Sequence, residues 1–166
     1  MRITTRGRYA LRASLALAKL SNGGSPVSIN QLSEEENISS VFLEQIFFKL
    51  RKAGIVTSVR GPGGGFCFAK PPDELSLKEI LDAAGEETDS TNCIKHSLDC
   101  QRMGECLAHG IWLDINSMIS NYLSGLTLSS VLQRGINYCT ESLPPKALQA
   151  ENTGAPREEV YLTHKE

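Results

Sequence analysis

The chain has no apolar run near the roughly 20 residues that cross a bilayer, and Met1 to Tyr9 is basic and polar where a secretory signal carries its apolar region. Neither a membrane-spanning nor a secreted protein is expected, and the expected compartment is the cytoplasm. The five cysteines are an odd number and include no Cys-x-x-Cys pair. In a reducing compartment they are expected to be ligands, sensors or buried apolar groups, which argues against a disulfide framework. The glycine run at Gly61–Gly65 lacks the Gly-Lys-Ser/Thr of a nucleotide P-loop and leads into Phe66-Cys67-Phe68, so that function is set aside. There is no internal repeat, and 166 residues exclude a large multidomain enzyme.

What is present is an ordinary globular composition, 40% hydrophobic and 22% charged, with an uneven distribution of charge. Residues 1–70 hold ten Lys/Arg against four acids, a balance of +6, and the remaining 96 residues hold seven bases against fifteen acids, a balance of -8. Such asymmetry suggests a half that faces nucleic acid joined to a half that avoids phosphate.

Local signals predict the elements. Leu11, Leu15 and Leu17 among alanines predict a helix from Tyr9 to Leu20. Ser28 with Gln31 reads as a capping box opening a short helix to about Glu36. Ser39 is a plausible N-cap for a third helix through Ala53, whose apolar stripe is Leu43, Ile46, Phe47 and Leu50. Gly54 ends it, and Ile55–Arg60 and Phe66–Ala69 read as strands joined by the glycine loop. Three helices and a two-stranded ribbon describe a mainly α, winged helix-turn-helix fold. Beyond Pro71-Pro72, Ser76 with Glu79 opens another helix ended by Gly85. A long helix begins at Leu107 with Ile111, Ile115, Met118, Ile119, Tyr122 and Leu126 on one side, and Thr127 caps a last helix to about Gly135. The division expected is a DNA-binding domain at 1–70, a cysteine-bearing loop with further helices at 71–139, and a proline-bearing disordered tail at 140–166.

In a helix-turn-helix the second helix enters the major groove by its amino end. Here that end displays Ser40, Val41, Glu44 and Gln45. Gln45 can bond an adenine edge in two places, Glu44 can accept from cytosine and Val41 can touch a thymine methyl, while Arg51 and Lys52 suit phosphate. Gly61, Pro62 and Gly63 let the backbone approach a sugar-phosphate surface, Arg60 beside them suits a narrow minor groove, and Arg2 in the basic amino end joins the set.

Cys93, Cys100, Cys106 and His109 lie within seventeen residues, separated by six, five and two. Three thiolates and an imidazole are four ligands, enough for tetrahedral zinc or for both irons of a two-iron cluster. The wide spacing counts for a cluster, with His96 a possible substitute ligand. Nucleophilic catalysis by a thiol needs a paired base and a cleft that so short a polar loop does not offer. Cys67, between two aromatics, and Cys139 read as packing residues.

With these residues the chain resembles the IscR-type regulators, a winged-helix family that senses iron-sulfur status. The resemblance is carried by Met1 to Ala10, by Phe42 to Phe47, by Ser58 to Phe66 and by the Cys93, Cys100, Cys106 and His109 set, and covers residues 1–138. It implies a homodimer on a palindromic double-stranded operator, a 2Fe-2S cluster on those four residues, and control of cluster-assembly or iron-related genes. In relatives a glutamate at the Glu44 position discriminates between operator types. Two departures are the first cysteine gap, one residue longer than in the family, and Val41 in place of a polar residue. A histidine ligand is neutral and protonates near physiological pH, so such a cluster is held less tightly than one on four thiolates, which suits a sensor. Alternatives are a nitric-oxide or redox sensor of the same fold, an iron-sulfur carrier, which leaves the +6 half unexplained, and a zinc-stapled module.

Overall fold

The computed structural model describes residues 3–21, 24–86 and 105–141, with side chains described as far as Gly135. Arg2, Cys93, His96, Cys100, the Cys139 side chain and the tail from 142 onward lie outside the described residues. Residues 1–133 form one compact unit and residues 134–166 a second, whose described part is the end of the last helix.

Helix α1 spans Thr5–Leu20 and buries Gly7, Ala10, Ala13, Ser14, Ala16 and Leu17, the alanines allowing α2, α3 and α4 to pack closely against it. It begins at Thr5, ahead of the predicted Tyr9, because a carboxylate from far along the chain, Glu86, satisfies its amino end. Helix α2 spans Ile29–Glu36 and carries the predicted capping box in both directions between Ser28 and Gln31. Asn37, in the left-handed region at φ 50°, makes the turn, and the Ser33 hydroxyl donates to the Ile38 carbonyl at 2.6 Å. Helix α3 spans Ser40–Lys52. Ser39 precedes it, but its side chain makes no capping bond; its carbonyl accepts from Phe42 and Leu43 at 3.0 Å each.

The wing is the antiparallel pair β1 (Val56–Val59) and β2 (Gly65–Phe68), in register Val56 to Phe68 and Val59 to Gly65. A third segment, absent from the expectation, extends this ribbon: Val27 bridges Phe66, donating at 3.0 Å and accepting at 2.8 Å. Helix α4 (Leu77–Ala84) opens on the Ser76–Glu79 capping box and packs on α1 and α3. Helix α5 spans Leu107–Ser124, and α6 spans Leu128–Glu141, past the predicted end at Gly135. Thr127 opens α6 as expected, its hydroxyl accepting from the Ser130 amide at 3.2 Å.

One core joins these elements. Leu17, Leu32, Leu43, Ile46, Phe47, Leu50, Val56, Leu75, Ile80, Leu81 and Leu128 have essentially no exposed surface. Its far side is tied by a short bridge in which the Leu77 amide donates to Leu126 at 2.8 Å and the Leu128 amide donates to Leu75 at 3.0 Å. The predicted single stripe of α5 divides. Leu126, just beyond the helix, is buried with Leu123, and Ile115 and Ile119 are half-buried, whereas Ile111, Met118 and Tyr122 are exposed together with Leu107, Trp112 and Leu113.

Candidate nucleic-acid interface

The helical period that sends Leu43, Ile46, Phe47 and Leu50 into the core leaves the opposite face of α3 to solvent. That face presents Val41, Glu44, Gln45, Phe48, Arg51 and Lys52, all exposed, with Ser40 half-buried at its start. The Arg51 guanidinium carbon lies 5.8 Å from the Phe48 ring centroid, and its Nη1 donates to the Ser58 hydroxyl on β1 at 3.4 Å. Hydrogen-bond donors, acceptors and apolar groups thus alternate along one exposed helix, the mixture that base edges in a major groove require.

The wing is fixed to this helix from beneath. The Phe66 ring packs on Phe47 with centroids 4.9 Å apart. Arg60, Gly61, Pro62 and Gly63 are exposed at the tip, where Gly61 and Gly63 take φ of 104° and 75° and the Gly64 amide closes the turn on the Gly61 carbonyl at 2.9 Å. Cys67 is half-buried, its thiol 3.5 Å from the Gly24 carbonyl, in keeping with a packing role.

The basic residues of the first 70 divide by use. Arg12 pairs with Glu36 at 2.8 Å and Lys19 with Glu35 at 2.6 Å, tying α1 to α2; Lys49 donates to the last carbonyls of α4 at Ala84, 3.2 Å away; and Lys70 lies 3.8 Å from Glu79. Arg51, Lys52 and Arg60 are exposed on α3 and the wing, and Arg6 and Arg8 are exposed on α1, where Arg8 donates to the Thr5 hydroxyl at 3.2 Å.

Cys106 and His109 sit on the first turn of α5, Cys106 at the N-cap and His109 three residues on, with the His109 amide donating to the Cys106 carbonyl at 3.0 Å. Both are half-buried. Positions three apart on a helix face the same side, and a helix amino end favours anionic groups, so this turn suits a pair of ligands to an anionic metal-thiolate centre. Cys93 and Cys100, which follow Glu86 in the chain, lie outside the described residues.

Glu86 is itself built into the domain. It is 7% exposed, accepts from the Thr4 amide at 2.8 Å and the Gly7 amide at 3.1 Å, and also accepts from the Thr4 hydroxyl. Burial alone pushes its carboxyl up, but the Thr4 hydroxyl, the Thr4 and Gly7 amides and the nearby Arg6 outweigh that and hold it below the ordinary carboxylate range. A polar recess of about 470 Å³ opens here, lined by Thr4, Arg6, Arg8, Phe42 and Glu86 among others.

Residues 3–134 match the Rrf2 family, described as iron-dependent transcriptional regulators. The chain belongs to the Rrf2 family. It is 43% identical over 133 residues to the HTH-type transcriptional regulator IscR of Aliivibrio salmonicida, covering 80% of this chain and 77% of that one. Among solved structures it is similar to CymR, the global cysteine regulator of B. subtilis (TM-score 0.67, 26% identity, 81% of this chain and 98% of that one), and to T. potens IscR (TM-score 0.66, 25% identity, 89% and 96%). The winged-helix fold and the assignment as a transcriptional regulator and not an enzyme follow from these likenesses. Among the described residues no helix is long and apolar enough to cross a membrane.

Within this Rrf2 chain, the structure brings Val41, Glu44, Gln45 and Arg51 onto one face of α3, with the Arg60–Gly63 tip carried by the ribbon packed beneath it. It brings Cys106 and His109 onto one turn. Two residues of interest escaped the sequence pattern. Phe48 is an apolar side chain on the polar face, a break in periodicity that could have marked it; Glu86 follows a helix-ending glycine, and nothing local signals that its partners are Thr4 and Gly7.

Proposed function

We propose that this Rrf2 regulator is a homodimer that reads a palindromic operator with α3 and the wing, and that its DNA binding follows the presence of a 2Fe-2S cluster on Cys93, Cys100, Cys106 and His109. The observation that carries the cluster reading is the Cys106–His109 pair on the first turn of α5, two of the four ligands on one helical turn. Fold likeness does not choose the signal, since CymR and T. potens IscR match equally well. The cysteine set, together with the 43% identity to a regulator named IscR, supports the cluster reading. When bound, a cluster with one histidine ligand supplies a centre that can be gained and lost with iron-sulfur supply.

The remaining work falls to the chain's own groups. Glu44 and Gln45 read base edges, Val41 takes a thymine methyl, Arg51 and Lys52 take phosphates, Arg60 enters the minor groove beside Gly61, Pro62 and Gly63, and Arg2 adds to the basic amino end. The exposed apolar side of α5, with Met118 at 71% and Tyr122 at 63%, is the face that pairs with a second copy. Coupling is supported by Glu86, which holds the start of α1 and is the residue from which the cysteine-bearing segment departs.

Anaerobic purification followed by an absorbance spectrum with iron, sulfide and zinc analysis tests the cluster. Visible charge-transfer bands with two irons and two sulfides per chain are expected. A colourless protein holding stoichiometric zinc contradicts the reading and favours the zinc-stapled one.

A further inference from the structure

Phe48 is 59% exposed in the middle of a helix face that is otherwise mostly polar, where its aromatic ring gains nothing from the core. It stands one turn beyond Glu44 and one turn before Lys52, and the Arg51 guanidinium lies against its ring at 5.8 Å while reaching toward Ser58 on the wing strand. Its charged neighbours, Glu44, Arg51 and Lys52, balance to net positive, matched to a polyanion and unsuited to a purely apolar partner. Of the groups a major groove offers, base-edge acceptors and donors gain nothing from a phenyl ring; the C5-methyl of thymine does.

We infer that Phe48 is a specificity residue that packs on a thymine C5-methyl in the operator, and that its ring holds Arg51 against the neighbouring phosphate. This rests on α3 lying in the major groove, as proposed above. Val41, 63% exposed two turns earlier on α3, contacts a different thymine, so the helix carries two apolar readers with Glu44 and Gln45 between them. Discrimination at Phe48's position is then against cytosine, guanine and any pyrimidine that lacks the methyl group.

The test uses the full chain and a DNA duplex enriched from a random-core pool by the wild-type protein. Each thymine of that duplex is replaced in turn by deoxyuridine, which removes the methyl and leaves the pairing edge intact, and affinity is read by fluorescence anisotropy. At Phe48's thymine, deoxyuridine is expected to weaken wild-type binding about three- to fivefold, as burial of one methyl (~0.8 kcal/mol) implies. Phe48→Ala is expected to bind more weakly and to be indifferent to deoxyuridine at that thymine, Phe48→Leu to retain part of the response, and Val41→Ala to lose its response at a different thymine. Identical deoxyuridine profiles for wild type, Phe48→Ala and Phe48→Leu overturn the inference while leaving the DNA-binding face intact. Enrichment of no sequence by the wild-type protein removes the proposed operator reading itself, and this inference with it.

Discussion

Glu86 receives two backbone amides and a hydroxyl from residues some 80 positions earlier, and so acts as the N-terminal cap that α1's own Thr4 side chain does not provide. Gly7 is glycine for the same reason: a Cβ there meets Glu86 Cγ at 2.5 Å and Cδ at 2.7 Å. Glu86→Gln keeps the shape but turns an amide NH2 toward donors, and is expected to cost about 1–3 kcal/mol in urea unfolding at neutral pH. The pH dependence follows from a carboxyl whose folded pKa is lowered. Its stabilisation is complete above the unfolded value, about 4.3, and is lost as pH falls from there through the lower folded value. Acid unfolding of wild type is expected to include this loss and Glu86→Gln to lack it. Equal pH slopes in the two proteins contradict the capping role.

At the scale of elements, the wing is a three-segment ribbon, because Val27 in the approach to α2 exchanges two hydrogen bonds with Phe66. Gly65 permits this, since a Cβ there runs into the Val27 carbonyl. Gly65→Ala is expected to cost about 1–3 kcal/mol of stability and to weaken DNA binding by displacing the wing tip, measured by thermal unfolding and anisotropy. Unchanged values in both contradict the ribbon's role. Much of this level was legible from sequence: the capping boxes at Ser28 and Ser76, the stripe Leu43, Ile46, Phe47 and Leu50, and the glycine turn are local patterns, and each stands where expected. What was not legible depends on distant partners. The start of α1 at Thr5 needed Glu86, the third segment of the ribbon needed Phe66 opposite Val27, and the division of the α5 stripe needed the bridge from Leu75 to Leu128. The exposed face of α3 was legible as the complement of its buried stripe, with Phe48 missed because an apolar residue there breaks the rule that defines the face.

For the whole molecule, the core runs without interruption from α1 through the wing to Leu126 and Leu128, so the turn bearing Cys106 and His109 belongs to a helix seated on the same core as α3. Under the proposed function, this shared core is the route by which events at the cysteine segment reach DNA. The exposed Ile111, Met118 and Tyr122 face gives the proposed dimer. Met118→Asp together with Tyr122→Asp is expected to yield a folded monomer by sedimentation and about a hundredfold weaker operator binding, since a single half-site then acts alone. A persistent dimer places the interface elsewhere. The central claim is that cluster status sets DNA binding, and it is tested most directly by comparing, anaerobically, the affinities of cluster-loaded protein, cluster-stripped protein and Cys100→Ala for two or more duplexes enriched separately by the loaded and stripped forms. The account predicts that the loaded protein differs from the stripped one in its ranking of these duplexes, and that Cys100→Ala follows the stripped protein. One shared ranking and affinity for all three proteins contradicts it.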